Sequence, residues 1–281
     1  NKWQEFIPAR NNIMIEDFEE FDNYLVISEV ENGLKKLKYY DITKQLFQEI
    51  TFDEAVYSFY LSSNPEFETD VLRYQYQSLT TPDSVFEYNF NKGESILLKQ
   101  SEVLDKNYSP SNFRSERIYA RAEDGMAIPI SMVYHKDLAQ KYKSETFPLY
   151  LTSYGAYGVS SDPYFSSIRL SLLNRGFIYA IAHIRGGQDL GRPWYNDGKL
   201  LKKKNTFNDF ISCAKLLIEN GYTSKDKLVI NGGSAGGLLM GAVVNARPDL
   251  FKIVIADVPF VDLINTMLDP SLPLVKEEYE E

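Results

Sequence analysis

The run Gly232-Gly233-Ser234-Ala235-Gly236-Gly237 is the clearest candidate for chemistry in this chain. It fits G-x-S-x-G and stands between an apolar strand-like run, 227–230, and an apolar helix-like run, 238–244. A serine on such a turn holds a strained backbone, so its neighbours must be small enough for strand and helix to approach. It also heads the helix, where free amides and the helix dipole stabilise developing negative charge. The pattern predicts a nucleophile at Ser234, suited to acyl transfer. The competing reading is a glycine-rich turn that binds phosphate or only reverses the chain.

A serine nucleophile needs a base, and the chain holds only His135 and His183. In the α/β-hydrolase order the acid and the histidine follow the serine. Here both histidines precede it and none follows. His183 ends an apolar run just before Ile184-Arg185-Gly186-Gly187, which points to a structural role. His135, beside Lys136, reads as solvated. Either the base lies outside these residues or the chain is no catalyst. Cys213 is the only cysteine, so no intrachain disulfide can form and a reducing compartment is favoured. Its apolar helical setting predicts a buried, inert thiol. No His/Cys cluster has ligand spacing, so neither a metal nor an organic cofactor is expected.

The elements that must hold this turn come in two textures. Across 281 residues, 44% apolar and 25% charged composition fits a globular protein and excludes disordered, collagen-like and disulfide-scaffold classes. A net charge of −9 argues against nucleic acid and anionic membranes and mildly favours cationic ligands. No apolar run approaches the ~18 residues of a membrane span. The start, Asn1-Lys2-Trp3, and the Glu-rich end suggest a fragment of a longer protein. Up to residue 106, short aromatic-rich runs at 24–30, 37–40, 56–61, 71–76, 84–90 and 95–98 alternate with turns such as Glu31-Asn32-Gly33. Such spacing fits a sandwich, a barrel or propeller blades. From 107 onward a hairpin, 116–122 with 128–134, precedes apolar runs at 148–153, 177–182, 227–230 and 253–256 that read as buried parallel strands. Helices are expected over 164–175 and after Thr206, where Thr206 and Asp209 suggest a capping box ahead of a face built from Phe207, Phe210, Ile211, Ala214, Leu217 and Ile218.

Several ordered motifs carry a resemblance. Tyr154-Gly155-Ala156-Tyr157-Gly158, Ala182-His183-Ile184-Arg185-Gly186-Gly187, Gly191-Arg192-Pro193-Trp194-Tyr195, Asn205-Thr206-Phe207-Asn208-Asp209-Phe210 and the Ser234 turn, with Arg247-Pro248-Asp249, resemble the prolyl oligopeptidase family. Val258-Pro259-Phe260-Val261-Asp262, Thr266-Met267-Leu268-Asp269 and the Glu-rich end resemble its oligopeptidase B branch more narrowly. The resemblance implies all-β propeller blades over residues 1–106, followed at 107–281 by part of an α/β-hydrolase domain, a mostly parallel sheet with flanking helices. It also implies a cytoplasmic serine oligopeptidase that cuts short peptides after Lys or Arg and whose acid and histidine lie beyond residue 281.

Carried over by position, Ser234 matches the nucleophile, Ala235 a backbone oxyanion donor and Tyr154 the tyrosine that completes the oxyanion hole. Tyr157 matches an aromatic near the substrate, and Glu278 and Glu280 match carboxylates that recognise a basic P1 side chain. Separated by Tyr279, that pair is expected to need a non-helical or kinked backbone. Asp162 matches one acid of the P2 pocket, but Tyr164 stands where its companion acid belongs, which puts a strong paired-basic preference in doubt. The competing readings are a proline-specific or acylaminoacyl peptidase of the same fold, or a non-catalytic binding protein that keeps the scaffold. Oligomeric state is not legible.

Overall fold

A computed structural model describes residues 4–10, 13–139, 145–273 and 275–281; the amino-terminal Asn1, Lys2 and Trp3 lie outside them. Eight strands build two four-stranded antiparallel meanders. The first runs through β1 (Ile13–Glu20), β2 (Tyr24–Glu31), β3 (Leu34–Asp41) and β4 (Leu46–Ile50), and the second through β5 (Tyr57–Leu61), β6 (Val71–Ser78), β7 (Ser84–Asn89) and β8 (Glu94–Gln100). Between β2 and β3 the loop is only Asn32-Gly33, both at positive φ (52° and 74°), the tight turn whose twist matches a hairpin. β1 and β4 are outer strands with mostly exposed or half-exposed residues, so they lack the alternation that marks the inner strands in the sequence.

The two meanders stack through one aromatic core. Tyr24 stacks on Phe90 with ring centroids 4.0 Å apart, and Val26, Leu37, Tyr39, Phe59, Leu72 and Tyr74 fill the space around them. Sheets that meet face to face while each keeps its own edges do not form a closed barrel.

The third sheet has the order β14-β13-β11-β12-β10-β9. β9 (Phe113–Arg121) and β10 (Ala127–His135) make the expected antiparallel hairpin. β11 (Leu149–Thr152), β12 (Ile178–Ala182), β13 (Leu228–Gly233) and β14 (Ile253–Asp257) are parallel to one another. The helices are α1 (Lys136–Ala139), α2 (Leu170–Leu173), α3 (Arg192–Asn196), α4 (Lys204–Glu219), α5 (Ala235–Ala246), α6 (Leu263–Met267) and α7 (Val275–Glu278). Phe210, Ala214 and Leu217 of α4 and Leu239, Met240 and Val243 of α5 pack on one face of the sheet, over Ile130, Leu149, Ala180 and Ile230. On the other face Val133, Tyr179 and Ile181 pack with Leu170 and Leu173 of α2 and with Val56 and Leu79 from the second meander. That contact ties the blades to the sheet that carries Ser234. The 106/107 division falls in the connection between β8 and β9. Among the described residues no helix is long and apolar enough to cross a membrane.

Two local expectations are corrected. Helix over 164–175 shrinks to α2, because residues 164–169 are committed elsewhere: the Phe165 amide donates to Gln77 Oε1 of the blades (3.1 Å) and Arg169 Nη1 donates to the Tyr164 carbonyl (2.8 Å). No capping box forms at Thr206, since α4 begins two residues earlier. The Thr206 hydroxyl donates instead to the Gly198 carbonyl (3.0 Å), and Asp209 is buried in an ion pair.

Candidate active site

Ser234 lies between β13 and α5 at φ 55°, ψ −117°, a backbone conformation costly for any residue but glycine. Close packing of strand and helix explains the small flanking residues: a Cβ on Gly232 would stand 2.2 Å from the Gly236 carbonyl oxygen. The turn is pinned from below, since the Ser234 amide donates to the Asp257 carbonyl at 2.9 Å. The Ser234 carbonyl accepts from the amides of Gly237 (2.9 Å) and Phe260 (3.1 Å). The side chain stays exposed, and Ala235 begins the helix, where amides lack intrahelical acceptors.

Ser234 opens into a cavity of about 590 Å³ whose lining includes Tyr154, Asp162, Tyr164, Tyr60 and Val258. Tyr154, just past β11, lies over the start of α5; a Cβ on Gly236 would be 3.5 Å from its ring. Ser234 and Tyr154 line one cavity, and Ala235 follows the serine at the head of α5, an arrangement of the kind that holds an oxyanion.

The loop that carries Tyr154 is seated on a second buried loop. The Gly158 amide donates to the Gly186 carbonyl (3.0 Å), and Gly186 approaches Gly155 so closely that a Cβ there would lie 2.2 Å from its carbonyl oxygen. Arg185 anchors this second loop. Its Nε and Nη2 donate to the Asp209 carboxylate at 2.8 and 2.5 Å, its own amide donates to the same group at 3.0 Å, and Nη1 reaches Asp124 at 2.5 Å. From the sequence Arg185 was only part of a motif and Asp209 only a suggested helix cap; neither was read as an ion pair. The available signal was an aspartate in a helix whose neighbours are apolar.

A carboxylate cluster lies beyond Tyr154. The Tyr157 ring is 6.1 Å from the Tyr154 ring, centroid to centroid, and its hydroxyl donates to Glu278 Oε2. Glu281 joins it, accepting from the Tyr157 amide (3.0 Å) and the Tyr195 hydroxyl (2.5 Å). Burial and the Glu278 carboxylate raise the Tyr157 pKa, so the phenol stays a neutral donor. Lys203, whose Nζ donates to the Gly155 carbonyl (2.8 Å), has its pKa lowered by burial, an effect that Glu281 and Glu278 oppose. α7 runs through Glu278 and gives way to a turn at Tyr279 and Glu280. That geometry brings Glu278 and Glu281 together at Tyr157 and leaves Glu280 exposed outside the cluster. Glu281, Tyr195 and Lys203 were missed in the sequence for want of any local pattern.

Asp162 borders the serine cavity from the other side, bonded to Tyr60, Ser58 and Lys35 of the blades. The exposed Tyr164 ring lies beside the Arg169 guanidinium, 5.2 Å from the ring centroid. His183 is fully engaged away from Ser234: Nε2 is 2.7 Å from Ser131 Oγ and Nδ1 is 2.9 Å from Asp189 Oδ1, all three residues being buried. His135 ends β10 with Nδ1 3.5 Å from Asp137. Cys213 is buried, and burial raises its thiol pKa well above the ordinary value. Among the described residues no group of three or more His, Cys, Asp or Glu is arranged to hold a metal ion.

Comparison with known proteins covers both parts of the chain. The profile of the prolyl oligopeptidase family matches residues 163–281, and that of the prolyl oligopeptidase N-terminal beta-propeller domain matches residues 1–101. Dipeptidyl aminopeptidase BI of Pseudoxanthomonas mexicana is 46% identical over 280 residues, which are 99% of this chain and 38% of that protein. Protease 2 of Moraxella lacunata is 40% identical over 267 residues, 95% of this chain and 38% of that protein. The solved structure of oligopeptidase B from Leishmania major superposes with a TM-score of 0.87 at 41% identity, over 97% of this chain and 39% of that one. The chain thus spans 38% of the length of these two curated relatives. The two meanders are blades of a β-propeller, the third sheet is of the α/β-hydrolase type, and the chain belongs to the prolyl oligopeptidase family.

Proposed function

We propose that this chain supplies the nucleophile, the oxyanion donors and the basic-residue pocket of a cytoplasmic serine oligopeptidase that cleaves short peptides after Lys or Arg. The single observation that carries this reading is the placement of Ser234 on a positive-φ turn, in one cavity with Tyr154. Ser234 Oγ attacks the scissile carbonyl, and the oxyanion is held between the Tyr154 hydroxyl and the Ala235 amide. The amine leaves, an acyl-enzyme forms on Ser234, and water then releases the acid product. The base that takes the serine proton is neither His183, whose ring nitrogens are both engaged, nor His135, which pairs with Asp137. This reading assigns the base to residues outside these 281. The 281-residue chain alone is therefore expected to hydrolyse peptides poorly, with at most the residual rate that an oxyanion hole and binding provide.

Basic specificity rests on the carboxylates near Tyr157. Glu278 is the member that both sequence and geometry favour; Glu281 is added by the contacts, and Glu280 is the weaker candidate. A guanidinium entering this pocket replaces its lost hydration with charge-assisted bonds. Asp162 is assigned to the neighbouring P2 subsite by the resemblance, which its position at the cavity wall supports.

The test is covalent labelling of the full-length protein with a fluorophosphonate, the modified peptide being identified by mass spectrometry. Labelling is expected on Ser234 and to be blocked by a short peptide ending in an arginine aldehyde. Labelling elsewhere, or protection by a proline aldehyde alone, would refute the assignment.

A further inference from the structure

The P2 carboxylate of this protein already has a cationic partner, and the partner comes from the propeller. Lys35 sits near the start of β3, 7% exposed, with Nζ 3.2 Å from Asp162 Oδ2 and 3.2 Å from Glu16 Oε2 of β1. The ammonium also lies 4.0 Å from the centroid of the Tyr60 ring. The same Asp162 Oδ2 accepts from the Tyr60 hydroxyl (2.5 Å) and from Ser58 Oγ (3.2 Å). One oxygen of the candidate subsite is thus taken by three donors, one of them charged.

We propose that Lys35 is a specificity-determining residue that occupies the place of a basic P2 side chain, so that the enzyme takes peptides with a single basic residue and gains nothing from a second one at P2. The proposal rests on the assignment of Asp162 to P2. An arginine that sought both oxygens of Asp162 would meet Oδ2 already engaged and an ammonium of its own sign beside it. Lys35 has little room to yield. Burial opposes its charge, the Asp162 and Glu16 carboxylates outweigh that opposition and hold its pKa above the ordinary value, and leaving would strand Glu16 without its cation. Position 164 offers no substitute charge, since its residue is a tyrosine beside the Arg169 guanidinium.

The experiment measures kcat/KM of the full-length protein for two peptide amides that both carry Arg at P1, one with Arg and one with Gly at P2. In the wild type the Arg/Gly ratio should lie within about threefold of one; a ratio already above about tenfold overturns the proposal. Lys35→Met should raise the ratio about tenfold or more, because a freed carboxylate then meets the P2 guanidinium. Lys35→Arg should restore the wild-type ratio. Since Lys35→Met leaves Glu16 unpaired, Glu16→Gln/Lys35→Met is the companion variant and should show the same gain. An unchanged ratio in both neutral variants overturns the role of Lys35 and leaves the reading of Asp162 standing. A gain that persists when Asp162→Asn is added removes Asp162 from the subsite, and the proposal falls with it.

Discussion

Replacing Arg185 with methionine tests how the loop that carries Tyr154 is held. Arg185 is 3% exposed and Asp209 0%, so the substitution strands a buried carboxylate that keeps one hydrogen bond, from the residue-185 amide at 3.0 Å. Removing one member of such a pair costs about 3–5 kcal/mol, far more than a surface pair would. The sign of the pH dependence follows from Asp209. Burial raises its carboxyl pKa and Arg185 opposes the rise, so losing Arg185 raises it further. A carboxyl with a folded pKa above its unfolded one penalises the native state as pH climbs from the unfolded value to the folded one. Each unit in that window costs about 1.4 kcal/mol. Urea denaturation of the full-length Arg185→Met variant should therefore show a larger loss at pH 8 than at pH 5, and adding Asp209→Leu should recover most of it. Because the Gly186 carbonyl receives the Gly158 amide, kcat should also fall more than KM rises as the Tyr154 loop slackens. A loss below about 1 kcal/mol, or one independent of pH, would show that the Arg185–Asp209 pair does not anchor the loop.

Three further outcomes are expected. Tyr154→Phe in the full-length protein should lower kcat by roughly 10²–10³-fold with little change in KM, as for loss of one oxyanion donor; a change in kcat/KM within twofold would reduce the tyrosine to packing. Glu278→Gln should cut kcat/KM for Arg substrates by about 10–100-fold, and Glu281→Gln should do more harm than Glu280→Gln, with the ratio of Arg to neutral P1 substrates as the readout. Cys213, buried with its thiol pKa raised, should resist iodoacetamide in the native protein at pH 8 and react fully in urea; native labelling at the rate of a free thiol would contradict its burial.

The serine turn was legible because its demands are local: small residues at fixed offsets, a strand before and a helix after. The parallel strands were legible for a similar reason, being continuous apolar runs such as 178–182, buried on both faces. What escaped the sequence depends on residues far apart in it. Asp209 reads as a helix cap only while its partner 24 residues away is out of view. Residues 164–169 have the composition of a helix, but contacts with Gln77 and Arg169 hold them otherwise. Lys35 is one of three lysines on a blade strand, and nothing in that pattern marks it as the one that meets Asp162. At the Glu-rich end, the turn after Glu278 brings Glu281 to Tyr157, and the resemblance that named Glu278 and Glu280 holds no information on that turn.

One ratio decides the proposal of a serine oligopeptidase that reads a basic P1 side chain. The full-length protein and its Ser234→Ala variant are assayed on matched short peptide amides that carry Arg or Pro at P1. Arg should be favoured by about 100-fold or more, as expected for a guanidinium held by carboxylates, and Ser234→Ala should abolish turnover of both. A preference for Pro, or turnover that survives the loss of Ser234, would contradict it.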